Sequence, residues 1–474
     1  MRDTKIVATL GPASTDENTL REMIKAGVNV VRINFSHGTA QEHIDRVNLV
    51  RQIAENMGVY VGVLADLQGP KIRVSMFANK SVQLANGAEF VFDTDAATPG
   101  DETRVGLDYP DLIKDVVADD ILLLDDGKIR MRVLSKTDTS LRCVVEQGGT
   151  LSNRKGINKL GGGLSAAALT KKDMADILTA AAFEADFLAI SFPKSAADMY
   201  MARELMRNAG GTNALMIAKI ERAEAIPNLE EILDASDGLM VARGDLAVEV
   251  GDAKVPALQK KMIRMAREKN KLSITATQMM ESMISSHVPT RAEVSDVANA
   301  VLDGTDAVML SAETASGAFP VETVRVMAQV CTEAGLFAPI TLDQEMINHN
   351  FGRIDQSVAM AAIFTAYHFK ANATIVMTES GSTALWMSRF NSGVPIYGMS
   401  RNIHTLRRLS LYRAATVVSM PPEDMSRENA PSIAEVLLMK RGLLKLGDIV
   451  VTTSGSTMGK IGGSDTMIVR RIGS

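Results

Sequence analysis

The sequence is poor in the residues that mark several special classes of protein. Only Cys143 and Cys331 are cysteines among 474 residues, too few to cross-link a chain of this length or to form a four-cysteine zinc site. The 13 Phe, 6 Tyr and 1 Trp are outnumbered by 28 Met. Methionine therefore either fills the core or marks an adhesive surface. Positions on predicted strands and helices favour the core: Met216, Met240, Met262, Met265, Met279, Met309 and Met327.

Long apolar runs and an excess of one charge are also missing. The longest apolar stretch, residues 177–192, is interrupted by Glu184 and Asp186, whereas a membrane-spanning helix needs about 20 consecutive apolar residues. A strand-like segment starts at Lys5, which leaves no room for a signal peptide. The formal charge is −5 without a basic block, which argues against nucleic acid or an anionic membrane as a partner. We expect a soluble, cytoplasmic protein.

Three sequence textures predict three domains, the number expected at about 150 residues per domain. The first texture covers residues 1–69 and 167–345 and alternates Val/Ile/Ala-rich runs with amphipathic helical segments. Eight such runs predict a (β/α)₈ TIM barrel as the catalytic domain. The runs are residues 5–11, 29–36, 59–69, 187–192, 214–221, 237–246, 272–279 and 306–313.

The other two textures predict an inserted domain and a C-terminal domain. Residues 70–166 contain alternating antiparallel strands and a hairpin turn at 125–128, which predicts a small β-barrel. Its position in the third βα loop places it over the C-terminal face of the TIM barrel, where a lid would lie. The glycines at 161–163 form either a hinge or an ordinary turn. Residues 346–474 predict a regulatory α/β domain with an open, parallel-type sheet.

Polar residues stand at the ends of the predicted barrel strands, where barrel enzymes carry their catalytic groups. Lys219 and Glu221 occupy alternate positions of an apolar strand, so both side chains share one face. Glu221 and Asp245, with no His or Cys nearby, suit a hard cation such as Mg²⁺ or Mn²⁺. Positive charge for an anionic substrate comes from Arg32, Arg73, Lys219 and Arg243.

The residue types alone leave the reaction open. Phosphoryl transfer requires a metal and cations around the transferred group, and stabilisation of an enolate requires almost the same set. His37 is a candidate general base, although a histidine at a strand-to-loop junction is more often a positioning group. The residues therefore predict a metal-assisted reaction on a small phosphorylated or carboxylated anion.

Five segments, in order along the chain, resemble pyruvate kinase. They are RINFSHG at 32–38, MVARGD at 240–245, ITATQM at 274–279, PTRAE at 289–293 and MLSAET at 309–314. Segments 66–73 and 156–165 resemble the bacterial branch, which is often regulated by AMP or sugar phosphates. The resemblance implies transfer of a phosphoryl group from phosphoenolpyruvate to ADP, which gives pyruvate and ATP in the last step of glycolysis. It also implies a homotetramer.

The resemblance assigns roles at the strand ends. Arg32 would hold the phosphate of phosphoenolpyruvate, and Lys219 would stabilise the phosphoryl group in transfer. Glu221 and Asp245 would bind Mg²⁺ or Mn²⁺. The substrate carboxylate would be held by Gly244, Asp245 and Thr277, and the enolate would be protonated along a water path beside Thr277, Ser311 and Glu313. The nucleotide would meet Asn34, Phe35, Ser36, His37, Arg73 and Lys155.

Two further sites follow from the resemblance. Many family members bind K⁺ through groups that match Asn34, Ser36, Asp66 and the carbonyl of Leu67, together with a Glu that is Lys71 here. Because an ammonium group can replace K⁺ and would repel it, we expect catalysis without K⁺. The family places a phosphorylated effector on the loop formed by Thr378, Ser380, Gly381, Ser382 and Thr383. Many relatives carry Arg at the position of Ser382, which leaves the effector unidentified.

Two other functions remain open from the residues alone. A metal-dependent lyase or aldolase on a TIM barrel would also stabilise pyruvate enolate, but it gives no reason for the inserted domain, Arg73 or Lys155. A non-catalytic sensor of phosphorylated metabolites would need only the C-terminal domain. The charged strand ends argue against such a sensor.

Overall fold

The computed structural model describes residues 2–338, 351–421, 426, 428–457 and 461–473. Its strands are β1 Lys5–Thr9, β2 Val30–Asn34, β3 Gly62–Asp66, β4 Ser81–Leu84, β5 Glu89–Asp93, β6 Arg104–Gly106, β7 Ile121–Leu124, β8 Ile129–Lys136, β9 Ser140–Gln147, β10 Gly149–Ser152, β11 Ile157–Lys159, β12 Phe187–Ile190, β13 Leu215–Ile220, β14 Gly238–Ala242, β15 Leu272–Ala276, β16 Ala307–Leu310, β17 Ala373–Met377, β18 Ile396–Ser400, β19 Ala415–Ser419, β20 Ile449–Gly455 and β21 Ser464–Arg471.

The α-helices alternate with the barrel strands and then with the strands of the C-terminal sheet. They are α1 Glu17–Ala26, α2 Ala40–Asn56, α3 Leu112–Asp115, α4 Lys171–Ala182, α5 Ala196–Asn208, α6 Leu229–Ala235, α7 Arg243–Val250, α8 Val255–Glu268, α9 Arg291–Leu302, α10 Ala312–Ala315, α11 Pro320–Leu336, α12 Ile354–His368, α13 Ser382–Ser388, α14 Ile403–Leu409 and α15 Ala430–Lys440. Within the described ranges, none of them is long and apolar enough to cross a membrane.

Eight parallel strands close the predicted TIM barrel. Their order around it is β1-β16-β15-β14-β13-β12-β3-β2, so each of the eight strand-like runs forms a barrel strand. Several helices begin at capping boxes, as at Thr39 with Glu42 and Thr290 with Glu293, which satisfy backbone N–H groups that lack helical partners. The fold class predicted from the sequence is confirmed.

Methionine fills the core, as its positions predict. Met240 and Met309 lie in the apolar cluster that runs through the barrel interior, and Met262 and Met327 pack between the barrel and its helices. Of the seven methionines named from the sequence, only Met265 is partly exposed. An unbranched thioether adapts to irregular gaps, so it can take the place of aromatic rings here.

The β domain leaves the barrel after β3 and returns before β12. It contains a six-stranded sheet, β11-β7-β8-β9-β5-β6, and a two-stranded sheet, β10-β4. The turn between β7 and β8 covers residues 125–128 and has positive φ at Asp125 (48°), Asp126 (57°) and Gly127 (87°), a conformation that Asp and Gly adopt more readily than most residues. The β5–β6 pair is parallel, so the expectation of an antiparallel domain was wrong for that pair.

The glycines at 161–163 form a left-handed turn that is fixed to the barrel. All three have positive φ, and the N–H of Gly163 donates to Glu224 Oε1 over 2.6 Å. Gly162 has a φ of +78°, and a Cβ atom there would lie 2.4 Å from Glu224 Oε2, so another residue would strain the backbone and displace the Glu224 carboxylate. The turn therefore anchors the returning segment of the β domain, and movement about it stays a prediction.

The C-terminal sheet has the order β19-β18-β17-β20-β21. Its first four strands are parallel, whereas β21 pairs antiparallel with β20, which corrects the expectation of a parallel-type sheet. The segment between β20 and β21 is too short for a parallel crossover, which needs about a dozen residues or more. This domain packs against the N-terminal edge of the barrel, where Lys5 Nζ donates to the carbonyl of Ala415 over 2.6 Å.

Candidate active site

A buried group of opposite charges lies at the C-terminal edge of the barrel. Arg32, from β2, donates from Nε to Asp66 Oδ2 over 2.6 Å, and its Nη1 donates to Thr9 Oγ1. Lys219, from β13, places Nζ 3.1 Å from Asp66 Oδ1 and 3.0 Å from Glu221 Oε1. Parallel strands end at the same edge, which is why residues far apart in the sequence meet here. The structure brings together the residues predicted to hold the phosphoryl group.

The charges within this group do not cancel evenly. Burial opposes ionisation of Asp66, but the positive charges of Lys219 and Arg32 hold its pKa below the ordinary value. For Glu221, burial is the largest effect and raises the pKa to about 7; Lys219 opposes the rise, whereas Asp245 and Asp66 add to it. The ammonium that Glu221 shares with Asp66 therefore does not offset the burial of the Glu221 carboxylate.

Glu221 and Asp245 fit a divalent cation. Their side chains offer only carboxylate oxygens, which Mg²⁺ and Mn²⁺ prefer, and a cation would supply the charge that buried Glu221 lacks. In the described part of the chain, no group of three or more His, Cys, Asp or Glu residues could hold a metal ion. Mg²⁺ usually binds one or two protein carboxylates together with water and substrate oxygens, so two ligands are sufficient.

The β15 loop comes close to the start of α7. The N–H of Gly244 donates to Thr277 Oγ1 over 2.8 Å, and this hydroxyl donates to the carbonyl of Ala276. Thr277 and Gln278 both have positive φ, 71° and 54°, which is unfavourable for residues with a Cβ atom and is found most often at functional sites. The geometry joins Gly244 and Thr277, two residues predicted to hold the substrate carboxylate.

Arg243 supports this loop. Its Nη2 donates to the carbonyl of Thr277 over 2.7 Å, and its Nη1 lies 2.7 Å from Asp296 Oδ2. Protein oxygens therefore bind the guanidinium, and a contribution of its charge to an anionic substrate stays a prediction.

Glu313 connects the ends of β15 and β16. It accepts hydrogen bonds from the N–H groups of Ser311, over 2.6 Å, and Met280, over 3.2 Å. Burial raises the pKa of Glu313. The structure thus places Ser311 and Glu313 beside the loop that carries Thr277, whereas the water path itself stays a prediction.

The segment predicted to meet the nucleotide, residues 34–37, is partly exposed and partly buried. The N–H of Ser36 donates to Asn34 Oδ1, and that of His37 donates to the carbonyl of Asn34, which forms a tight turn after β2. The ring of Phe35 is only 1% exposed and packs against Phe183. The ring of Phe35 therefore belongs to the core, and the position of residues 34–37 beside a nucleotide stays a prediction.

Arg73 and Lys155 meet where the chain enters and leaves the β domain. Arg73 forms an antiparallel bridge with Gly156, so Lys155 stands beside that bridge. Lys155 Nζ lies 2.6 Å from Asp125 Oδ1, and its side chain is 39% exposed. Both cations therefore belong to one small region between the β domain and the barrel.

The side chain of Lys71 pairs with Asp245. Its Nζ lies 3.2 Å from Asp245 Oδ1, and it forms no hydrogen bond with Asn34, Ser36 or Asp66, all of which the structure describes. The carbonyl of Leu67 accepts a hydrogen bond from Ser191 Oγ. Lys71 thus brings its positive charge to a predicted metal ligand, and its replacement of K⁺ stays a prediction.

Ser191 and Phe192 are site residues that the sequence analysis missed. Ser191 follows β12, and its Oγ accepts a hydrogen bond from Lys219 Nζ over 2.7 Å. Phe192 donates its N–H to Glu221 Oε2 over 2.9 Å. Ser191 could have been found from the sequence, because it is a polar residue directly after a wholly apolar strand. The same pattern identified the other strand ends.

The C-terminal loop largely satisfies its own polar groups. The N–H of Gly381 donates to Thr378 Oγ1 over 2.8 Å, and the hydroxyls of Ser380 and Ser382 are bonded to each other. Thr383 is buried and its hydroxyl bonds to Ser464. The loop brings the five predicted residues together, but a phosphate would have to replace these internal bonds.

Comparison with known proteins agrees with this geometry. A family model described as pyruvate kinase, barrel domain matches residues 1–324, and one described as pyruvate kinase, alpha/beta domain matches residues 356–470. The chain is 52% identical to the pyruvate kinase of Haemophilus influenzae over 96% of both chains. It is 50% identical to pyruvate kinase II of Salmonella typhimurium over 98% of both chains. It is 49% identical to the pyruvate kinase of Buchnera aphidicola subsp. Acyrthosiphon pisum, over 100% of this chain and 99% of that protein.

Proposed function

The chain belongs to the pyruvate kinase family, and we propose that it transfers the phosphoryl group of phosphoenolpyruvate to ADP, which gives pyruvate and ATP. One observation carries the proposal. Lys219 and Arg32 converge on Asp66 at the C-terminal edge of the barrel, next to Glu221. These two cations and a pair of carboxylates are what a transferred phosphoryl group and its metal ion require.

Charge stabilisation by positioned side chains accounts for the transfer. Lys219 and Arg32 would contact the phosphoryl oxygens, where negative charge accumulates during transfer. Both side chains are mostly buried, at 11% exposure, so water screens their charges little. Glu221 and Asp245 would hold Mg²⁺ or Mn²⁺, which neutralises phosphoryl and carboxylate oxygens when bound. Closure of the β domain over the barrel would exclude water, which would otherwise take the phosphoryl group.

Thr277 would stand on the side from which the enolate is protonated. Its hydroxyl already bridges the N–H of Gly244 and the carbonyl of Ala276, so it can orient a water molecule after one of these bonds is exchanged. Ser311 and Glu313 lie behind the same loop and would continue the proton path to solvent.

An ATP-forming assay tests the proposed reaction directly. The chain is supplied with phosphoenolpyruvate, ADP and Mg²⁺, and ATP is measured, with Lys219→Met as the inactive control. Formation of ATP by the wild type and its loss in the variant support the proposal. Failure of the wild type to form ATP, together with cleavage of a pyruvate-containing substrate, would instead identify a lyase or aldolase.

We propose that catalysis does not require K⁺. The ammonium of Lys71 enters the site and lies 3.2 Å from Asp245 Oδ1, and a K⁺ ion nearby would be repelled by it. Steady-state rates in tetramethylammonium chloride and in KCl should agree, and Lys71→Glu should create a dependence on K⁺. A large loss of wild-type activity without K⁺ would contradict this proposal.

We further propose that a phosphorylated metabolite regulates the enzyme through the C-terminal loop. The hydroxyls of Thr378, Ser380 and Ser382 and the positive φ of Gly381 (89°) form a small polar turn that suits phosphate oxygens. Ser380→Asp should remove the response to AMP or to sugar phosphates, added one at a time, because it places a negative charge in the turn. An unchanged response to every effector would rule out this site.

The assembly and location of the enzyme are also proposals. We propose a homotetramer, as the family resemblance implies, and a location in the cytoplasm, as the few cysteines and the interrupted apolar stretches suggest. Size-exclusion chromatography with light scattering measures the oligomeric state, for which the mass of four chains is expected. Fractionation of the producing cells measures the location.

A further inference from the structure

Ser191 lies in the centre of the buried charges but carries no charge itself. It is 1% exposed and follows β12 directly. Its Oγ accepts a hydrogen bond from Lys219 Nζ over 2.7 Å and donates one to the carbonyl of Leu67 over 2.6 Å. Because the single hydroxyl proton points to Leu67, a lone pair of Oγ faces the ammonium. The direction of this hydrogen bond is therefore set by the backbone of the β3 loop.

The backbone around Ser191 is built for close contact. Gly69 has a φ of +68°, and a Cβ atom there would lie 2.7 Å from Ser191 Cβ. The N–H of Gly69 donates to Asp173 Oδ1, which fixes the glycine in turn. A side chain at position 69 would therefore displace Ser191 from the β3 loop.

The next residue holds the second functional side chain of β13. Phe192 has a φ of +56°, which is rare for a residue with a bulky side chain. This conformation lets its N–H donate to Glu221 Oε2 over 2.9 Å. One turn after β12 thus contacts both Lys219 and Glu221, and strained turns of this kind are concentrated at functional sites.

The ammonium of Lys219 needs a partner that gives direction without adding charge. Its other two contacts, with Asp66 and Glu221, are with carboxylates, which attract it strongly but constrain its direction weakly. The neutral hydroxyl of Ser191 adds the third contact, which fixes the direction of the ammonium without neutralising its charge.

We propose that Ser191 is a positioning residue for phosphoryl transfer, which aligns Lys219 through the Leu67–Ser191–Lys219 hydrogen-bond chain. The inference rests on the proposed function, since it assigns Lys219 to the transferred group. Ser191 itself need not touch the substrate while it acts through Lys219.

Variants of Ser191 separate alignment from simple structural support. Ser191→Ala should lower kcat about tenfold or more, the cost of one hydrogen bond to a charged group, while KM for phosphoenolpyruvate changes less than about threefold. Ser191→Thr keeps the hydroxyl and should recover most of kcat, whereas Ser191→Val has nearly the same shape without it and should not. The matched control is Ser236→Ala, because Ser236 is equally buried and bonds to the carbonyl of Ile232 before β14, at the opposite edge.

The outcomes distinguish the inference from the proposed function. Loss of kcat in the Ala and Val variants, with recovery in the Thr variant and an unaffected Ser236→Ala, supports the inference. An unchanged kcat in Ser191→Ala overturns it, as does an equal loss in the Thr and Val variants, which is the result of altered packing alone. A wild-type chain that forms no ATP overturns the proposed function instead. Thermal melting of each variant confirms that it is folded.

Discussion

The two edges of the barrel both bury charged side chains, but they satisfy them differently. At the N-terminal edge, Asp306 accepts hydrogen bonds from the N–H groups of Ser273 and Arg413 and from two nitrogens of the Arg389 guanidinium. At the C-terminal edge, Glu221 has one backbone donor and shares Lys219 with Asp66. The N-terminal carboxylate is thus fully partnered, whereas the C-terminal one has capacity for a cation.

This difference shows which buried charges serve stability and which serve chemistry. A fully hydrogen-bonded pair such as Arg389 with Asp306 connects the C-terminal domain to the barrel, and nothing in it is free to bind a ligand. The group around Lys219 contains Glu221, whose ionised form burial penalises. Such an arrangement costs stability in the empty protein and becomes favourable only when substrate and metal arrive.

The largest expected effect is on activity, at the C-terminal edge. Lys219→Met should lower kcat by about 10³- to 10⁵-fold, as the loss of a cation from a phosphoryl-transfer site does, because its long apolar side chain cannot neutralise the transferred group. Stability should also fall, since Asp66 and Glu221 stay buried without the cation that they share. Steady-state kinetics and thermal melting measure the two quantities, and a variant with near wild-type kcat would exclude Lys219 from the reaction.

The next effect is on stability, at the N-terminal edge. Arg389→Met leaves the Asp306 carboxylate buried and unpaired, and should lower the free energy of unfolding by about 3–5 kcal/mol. The kcat of the folded variant should stay near the wild-type value. Urea denaturation measures the loss, and the double variant Arg389→Met/Asp306→Asn should recover part of it. Equal stability of the single variant and the wild type would show that this pair does not hold the domains together.

A pH-dependent effect on stability is expected from Asp186, which directly precedes β12 at the N-terminal edge of the barrel. Burial raises the pKa of Asp186 from 3.8 to about 7, partly opposed by the N–H of Val63 and by nearby arginines. The folded protein therefore keeps this proton while the unfolded chain loses it above pH 4, so Asp186 costs increasing stability as pH rises from about 4 to about 7.

Asp186→Asn removes this cost and keeps an acceptor for Val63. Its stability relative to the wild type should increase over the same pH range by up to a few kcal/mol, measured by denaturation at each pH. A difference that is independent of pH would refute the assignment to Asp186.

The smallest effect is expected where the β domain meets the barrel. Lys155 pairs with Asp125 at a largely solvated position, and exposed ion pairs contribute about 1 kcal/mol or less. Lys155→Met should therefore leave the melting temperature nearly unchanged while raising KM for ADP about two- to fivefold. Lys128→Met is the control, since Lys128 also pairs with Asp125 but is 72% exposed. Equal KM values in the two variants would remove Lys155 from the nucleotide site.

Local pattern explains why much of the fold was predictable. Apolar runs, capping sequences and turn residues act over a few neighbouring positions, so the eight barrel strands and the hairpin at Asp125 could be read directly. The antiparallel β21 and the parallel pair β5–β6 were missed, because pairing direction depends on connection length and on the neighbouring strand as well as on pattern.

The sequence by itself determined the barrel, its interruption by a β domain, and the positions of Arg32, Lys219, Glu221 and Asp245 at strand ends. Only the tertiary structure decided which partners these side chains meet. Lys219 donates a hydrogen bond to Ser191, which lies 28 positions away in the sequence. Lys71 pairs with Asp245, which lies 174 positions away. Hydrogen bonds and ion pairs depend on distances of about 3 Å, and such distances between remote segments exist only once the barrel has closed.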